Sequence, residues 1–420
     1  MKRMKLTGVK KSLFESFSQM EIIDSHEHLL PERMRLEKEV DVFTLFSHYT
    51  HHDLLRAGMD QKTYENLFNR ELSLEKRWQT FAPYWERIRY TSYAKSVLIT
   101  CKKFFGFSDI TEKNYRTISE LIKKGNKPGL YERVLKKACR IRTALIRSDV
   151  TNTGTNLLTP VMPLIYEIKN WENFSRPPFA SDTGINSLDE YLDARREHIM
   201  KIKLEGTVGL KMASNSYGVP SRKDAAAIFK KLKSGALKSL PVPVWPIYPD
   251  SNPLRNYIVD ETIKFAGEQD LVIAVHTGYW GDFRKLHPLH MIPVLMRHPE
   301  VRFDIYHVGY PWVREALMLG KGFSNVWLNF CWTHIISQRF AMAALDEAID
   351  LIPTNKILAF GGDYGTPVEK VYGHLSMARE DIAEVLARRV EEGQFTEAGA
   401  VNLARKWFWD NPKELYRLKL

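Results

Sequence analysis

The sequence predicts an α/β protein, a (β/α)8 barrel with a helical insertion after strand one, and three observations predict it. From residue 130 onward, strand-like and helix-like patterns alternate at a regular beat, which marks a parallel α/β architecture. With an opening strand near residue 20 the count is eight strands, seven of them followed by a helical pattern. No G-x-G-x-x-G follows any strand, so a doubly wound sheet stands second.

The first strand is carried by IIDSHEHLL, residues 22 to 30, and ends where His26 and His28 emerge. Side chains alternate along a strand, so Asp24, His26 and His28 are expected on one face and Ser25 and Glu27 on the other. Between about residues 30 and 130 the beat fails. VDVFTLFSHYTHHDLLRAGM, LEKRWQTFAPYWERIRYTSYAKSVLITCKKFF and NYRTISELIKK are helical in pattern, and no clear strand interrupts them. In a barrel the loop after a strand rises on the C-terminal face, so this segment is expected to cover the mouth as a lid or subdomain within a single domain spanning 1–420.

The beat then resumes. YERVLKKAC reads as helix, and RIRTALIRSD and NLLTPVMPLIYEI as strands two and three. SLDEYLDARREHIMKIKLEG is an amphipathic helix opened by a capping box, Ser187 with Glu190. TVGLKMA is strand four. After the proline-rich SLPVPVWPIYPDSNP come helix LRNYIVDETIKFAGEQ, strand DLVIAVHTG, helix PLHMIPVLMRHP and strand VRFDIYHVG. Helix PWVREALMLGKGF, strand NVWLNFCW, helix SQRFAMAALDEAIDLIP, strand KILAFGGDYG and a long helix from Val368 to Glu392 complete the series.

Composition narrows the classes. Hydrophobic residues at 44% and aromatics at 12% suffice for a sizeable core. Three cysteines with no CxxC pair argue against a disulfide framework or a thiolate zinc site and fit a reducing cytoplasm. The basic N-terminus has no apolar segment behind it, which argues against a secretory signal, and no apolar run is long enough to span a membrane. The net charge of +11 is scattered, and no nucleic-acid-binding motif accompanies it. The expected partner is therefore a small-molecule substrate, with no nucleic acid and no membrane; a homo-oligomer stays open.

The chemistry gathers at strand ends. Two imidazoles at the end of strand one could clamp one divalent ion through ring nitrogens at about 2.0–2.1 Å, or could be solvated polar residues. Strand four ends at Lys211, strand five at His276, strand six at His307 and strand eight at Asp363. Barrel enzymes keep their working groups at this rim, and five coincident stations outweigh any one of them. On the same rim lie Tyr279, Trp280, Arg284, Tyr310, Trp312 and Trp332. Of these, Arg284 could hold a carboxylate bidentately. His51, His287, His290, His298, His334 and His374 read as structural or exposed.

This pattern resembles the metal-dependent amidohydrolase superfamily, through DSHEH, VHTG, FGGD and the strand-four lysine, over residues 20 to 420 in topology. It is similar to the branch holding aminocarboxymuconate semialdehyde decarboxylase, resorcylate decarboxylases and related barrel hydrolases. The insertion resembles that of uronate isomerases: His48, Tyr49 and Gly58 match, but His52 stands where that family has arginine, which counts against sugar-acid isomerisation. The resemblance implies that His26, His28 and Asp363 bind a first metal. In its mononuclear form His276 completes that site and His307 meets substrate or water; in its binuclear form a carboxylated Lys211 bridges two ions, with His276 and His307 on the second. The residues by themselves leave Lys211 free to pair with an aspartate or to anchor a substrate carboxylate.

Imidazole and carboxylate ligands suit zinc, one or two ions, with manganese and iron as alternatives. The expected activity is hydrolysis of a small, anionic substrate by a metal-activated water, with Asp363 and His307 catalytic. Trp280, Tyr310, Arg284, Tyr49 and His52 are the expected substrate contacts. Nonoxidative decarboxylation or sugar-acid isomerisation at the same site is the alternative. Retention of every expected ligand argues against a noncatalytic barrel.

Overall fold

The computed structural model describes residues 8–180 and 184–420. Eight strands, β1 (Ile22–Glu27), β2 (Ile141–Arg147), β3 (Leu158–Pro163), β4 (Gly209–Ala213), β5 (Val272–His276), β6 (Phe303–Tyr306), β7 (Val326–Asn329) and β8 (Ile357–Leu358), pair in sequence order, every pair parallel. The β2–β3 link, residues 148–157, carries no helix; every other link does. No helix among the described residues is long and apolar enough to cross a membrane.

Period-two alternation builds the two layers. On β5, Ile273 and Val275 join the large core shared with the surrounding helices, while Val272 and Ala274 face a smaller cluster with Ile23, Leu145, Val161, Tyr306 and Leu358. Leu415, Tyr416 and Leu418 of the C-terminal segment close that cluster. His276 keeps the phase of Val272 and Ala274, and register sets it level with Ala213 of β4 and Tyr306 of β6.

β3 and β8 are much shorter than their sequence patterns. β3 stops at Pro163, and β8 has two ladder residues because the chain beyond it leaves the ladder to bond directly to β1. Ser25 N–H donates to Phe360 O (3.0 Å), Asp363 N–H to His26 O (2.8 Å) and His28 N–H to Tyr364 O (2.9 Å). Such an approach leaves no room for side chains at the two glycines between: a Cβ on Gly361 would meet Cys331 and the His26 backbone, and one on Gly362 would meet the Glu27 carboxyl.

Alternation along β1 is also corrected. Asp24 and Glu27, expected on opposite faces, lie close enough for Asp24 to add to the rise that burial gives the Glu27 carboxyl, because pairing with β2 slips between them. The helix Leu188–Leu204 opens with Glu190 N–H donating to Ser187 Oγ (3.1 Å), but the Glu190 carboxylate accepts from Asn186 N–H (2.8 Å) instead of Ser187.

Residues between β1 and β2 form helices, among them Tyr49–Arg56, Leu74–Ile88, Ser92–Phe105 and Tyr115–Gly125, around a core of their own that includes Phe43, Phe46, Trp78, Phe81 and Trp85. Lys370, fully buried at the start of the helix Lys370–Glu391, donates to Thr50 Oγ1 (2.9 Å) and so joins this segment to the barrel.

Candidate metal centre

β1 and the segment after β8 meet at the barrel seam and bring the two ends of the chain into one site. His26 Nε2 lies 3.0 Å and His28 Nε2 3.4 Å from Asp363 Oδ1. His307 Nε2 lies 4.0 Å from Asp363 Oδ2 and 2.9 Å from His276 Nδ1. Lys211 Nζ is 3.4 Å from His26 Nε2 and 3.5 Å above the Tyr306 ring. His28, Lys211, His276, His307 and Asp363 line a cavity of about 700 Å³, and buried His26 sits behind them.

Backbone conformation aims several of these groups. His307, Asp363, Trp332 and His48 all have left-handed φ, from 59° to 67°, although none is glycine. Each such residue costs about 1–3 kcal/mol, a strain that concentrates at working sites. His307 Nδ1 donates to Cys331 O (3.2 Å), which leaves the lone pair on Nε2 toward the cavity.

Burial governs the electrostatics. It lowers His26 and His276 well below the ordinary imidazole range, helped by Lys211 beside His26 and by His307 beside His276, and it lowers His307 to about 4. Neutral imidazoles are the form that binds metal. Burial would raise Asp363, yet its charge interactions with His26, His307 and His28 and its hydrogen bond with His26 hold it well below the usual carboxylate range. The Lys211 ammonium is lowered to about 8 by burial. Behind β1, burial raises both Asp24 and Glu27, while Asp24 Oδ1 accepts from Gly362 N–H (3.1 Å) and Glu27 Oε2 from Tyr364 N–H (2.6 Å).

Among the expected substrate contacts, Tyr49, His52 and Trp280 line the cavity. Tyr49 donates its phenol hydrogen to Asp363 Oδ2. Arg284 does not line it: its side chain is 81% exposed and is held by Asp282 (2.7 Å), two residues earlier on the same loop. Tyr310 packs behind the cavity wall, on Phe340 (4.4 Å) and Trp332 (5.8 Å), because its backbone is occupied in holding the β5 and β6 links together through Tyr279 N–H (2.7 Å).

Several lining residues lie outside the expected ligands and substrate contacts. Arg147 is a cation at the C-terminal end of a strand, the same signal that singled out Lys211. His48 adjoins Tyr49 and has a buried Nδ1 with no partner among the described residues. Arg255, on the helix Pro253–Glu268, pairs at 2.8 Å with Glu167, which follows β3 near the end of the strand-three pattern.

An amidohydrolase family model matches residues 230–418. Protein fluG of Emericella nidulans is 25% identical over 179 residues, which are 40% of this chain and 20% of fluG, so the chain spans a small part of that relative's length. Among solved structures, the chain superposes on a uronate isomerase of Thermotoga maritima with TM-score 0.75 and 16% identity over 97% of both chains. It does so on a glucuronate isomerase of Caulobacter crescentus with TM-score 0.76 and 16% identity, over 99% of this chain and 95% of that one. A candidate metal-dependent hydrolase of Lactobacillus casei gives TM-score 0.65 and 18% identity over 96% and 97%. At these identities the superpositions speak for the fold, and the family match covers the second half of the barrel. The chain is a (β/α)8 barrel whose residues 230–418 match an amidohydrolase family model.

Proposed function

We propose that this protein is a metal-dependent hydrolase of a small, anionic organic substrate. The observation that carries the reading is the gathering of His26, His307 and Asp363, whose ligand atoms all lie within 4.8 Å of one another at the base of the cavity. His28 and His276 adjoin them, and His276 Nε2 is buried with no hydrogen-bond partner among the described residues. Imidazole nitrogens and a carboxylate oxygen make a donor set suited to zinc first, with manganese or iron next.

A divalent ion held there supplies an acidified water and polarises the scissile carbonyl. The chain does the rest. Asp363, ionised at neutral pH, takes the proton of the attacking water and returns it to the leaving group as the carbon–heteroatom bond breaks. Tyr49 fixes the carboxylate from the insertion side, which is consistent with a lid. Lys211, half-buried on the cavity wall with its pKa lowered, would serve as a further ligand once carboxylated; Arg147 adds positive charge toward an anionic substrate. Three free, buried cysteines fit a reducing, cytoplasmic setting.

Metal-loaded protein should be screened on N-acyl amino acids, lactones and aromatic or sugar carboxylates, following carboxylate and carbon dioxide in parallel. Release of a new carboxylate with uptake of water is the expected result. Carbon dioxide release would replace the reading with decarboxylation. Sugar-acid isomerisation has one observation in its favour, the position of His48 and Tyr49 beside the site, and aldose–ketose interconversion without cleavage would establish it.

A further inference from the structure

The cavity has a second end that the proposed chemistry does not use. The link between helices Arg222–Lys233 and Pro253–Glu268 carries the stretch PVWPIY, residues 243–248, and brings Trp245 against Trp280 of the link after β5. Their ring centroids are 5.6 Å apart and their planes 68° apart. Tyr248 stands perpendicular to Trp280 at 5.8 Å, and His52 of the insertion approaches Trp245 at 5.6 Å. All four line the cavity.

Core packing does not account for this arch. Trp245, Tyr248 and Trp280 belong to none of the four buried apolar clusters, and the two indoles remain 43% and 38% exposed. Edge-to-face contacts between them leave ring faces open, the surface on which a further ring packs best.

The arch is also braced. Asp282 N–H donates to Pro246 O (2.7 Å), and Lys285 pairs with Asp250 (2.6 Å). Asn215 Nδ2 donates to Pro249 O (3.0 Å) and Ser216 Oγ to Asp250 Oδ1 (2.9 Å). A Cβ on Gly281 would fall 2.8 Å from Pro246 O, so the two loops touch backbone to backbone. Four cross-links from three separate links hold the indoles in place before any ligand arrives, and preorganisation of this kind is what lets a small apolar surface bind.

We propose that this arch is a second subsite, one that takes a planar aromatic group of the substrate while the bond to be cleaved lies at the metal end. The substrate class is then an aryl or heteroaryl conjugate of a small acid; the second half of that statement rests on the hydrolase reading above. Pro243 flanks the rings, and the open indole faces suit a flat ring, while His51, His52 and Arg255 on the same lining can meet polar substituents at its edge.

The test is calorimetric titration of metal-loaded protein with naphthoate, cyclohexanecarboxylate and glucuronate. Naphthoate should bind roughly tenfold more tightly than either competitor, the scale of an added aromatic contact pair. The Trp245→Leu, Trp280→Leu double variant keeps apolar volume without the rings and should lose about that factor for naphthoate alone. Each single variant, checked by circular dichroism and metal content, guards against a folding defect. Equal affinities, absent naphthoate binding, or a folded double variant with undiminished affinity would overturn the subsite, and tightest binding of glucuronate would give the arch to a sugar ring instead. Repeating the titration on metal-free protein separates the two readings. A ring preference that persists without metal, in a chain that shows no hydrolysis when metal is offered, keeps the arch and sinks the hydrolase, whereas a loaded, hydrolytic chain indifferent to the ring does the reverse.

Discussion

The phenol of Tyr49, in the helical insertion, donates its hydrogen to the carboxylate of Asp363, which lies beyond the last strand of the barrel. Tyr49 also stacks on Tyr93 (5.3 Å between centroids, 14° between planes), so Tyr49→Phe keeps the packing and removes only the donor. A hydrogen bond to a charged group contributes about 1.5–3 kcal/mol, so kcat should fall roughly tenfold or more with metal content unchanged. Unchanged kcat would reduce Tyr49 to a cavity wall.

Replacing His26 and His28 together with alanine should empty the centre. Elemental analysis should find metal at background while circular dichroism shows a folded chain, since β1 retains its pairing with β2. Full metal in a folded double variant would remove both residues from the ligand set.

Asp363→Asn keeps an oxygen ligand and loses the proton acceptor. Turnover should drop roughly 10²–10⁴-fold, with a much smaller fall in metal content. Near-normal turnover at full occupancy would take the proton-transfer role from this residue.

Carboxylation of Lys211 first takes a proton from the ammonium, then joins the neutral nitrogen to the carbon of carbon dioxide with loss of a second proton, turning a cation into an anionic two-oxygen ligand. Bicarbonate should therefore promote metal loading of the metal-free chain to about two ions, and Lys211→Met should cap it at about one. Loading indifferent to bicarbonate, in parent and variant alike, would leave Lys211 as an ordinary ammonium.

Lys370 predicts a pH dependence of stability. Burial lowers its folded-state pKa from 10.5 to about 7. Between those values the unfolded chain binds the proton and the folded chain does not, so stability rises with pH through this window and falls as pH drops toward 7. In chemical unfolding of metal-free protein, the gain in stability from about pH 7 to about pH 9 should be smaller in Lys370→Met than in the parent. Equal gains would show that Lys370 keeps its proton in the folded state.

The strand ends were legible because each follows an apolar run, and barrel geometry then gathers Lys211, His276, His307 and Asp363 without further information. What was not legible depends on chain direction at loops and seams. Arg284 looked like a rim cation, but its neighbour Asp282 turns it to solvent. Asp24 and Glu27 looked separated by alternation, and a slip in register that no local pattern encodes brings them together. Trp245 lay in a proline-rich excursion with no period to read, and only the bonds to the link after β5 give it a place in the cavity.

The seam between β1 and β8 has a consequence for biosynthesis. Ser25 reaches Phe360 across 335 positions of sequence, and the backbone of His26 is gripped by the residue that completes the ligand set. A nascent chain leaving the ribosome therefore carries His26 and His28 through the synthesis of more than 300 further residues before Asp363 can meet them. Contacts of such sequence separation form late and slowly. Acquisition of metal would then report that the ring of strands has closed, and a chain released before residue 357 would lack the centre however well its earlier strands had paired.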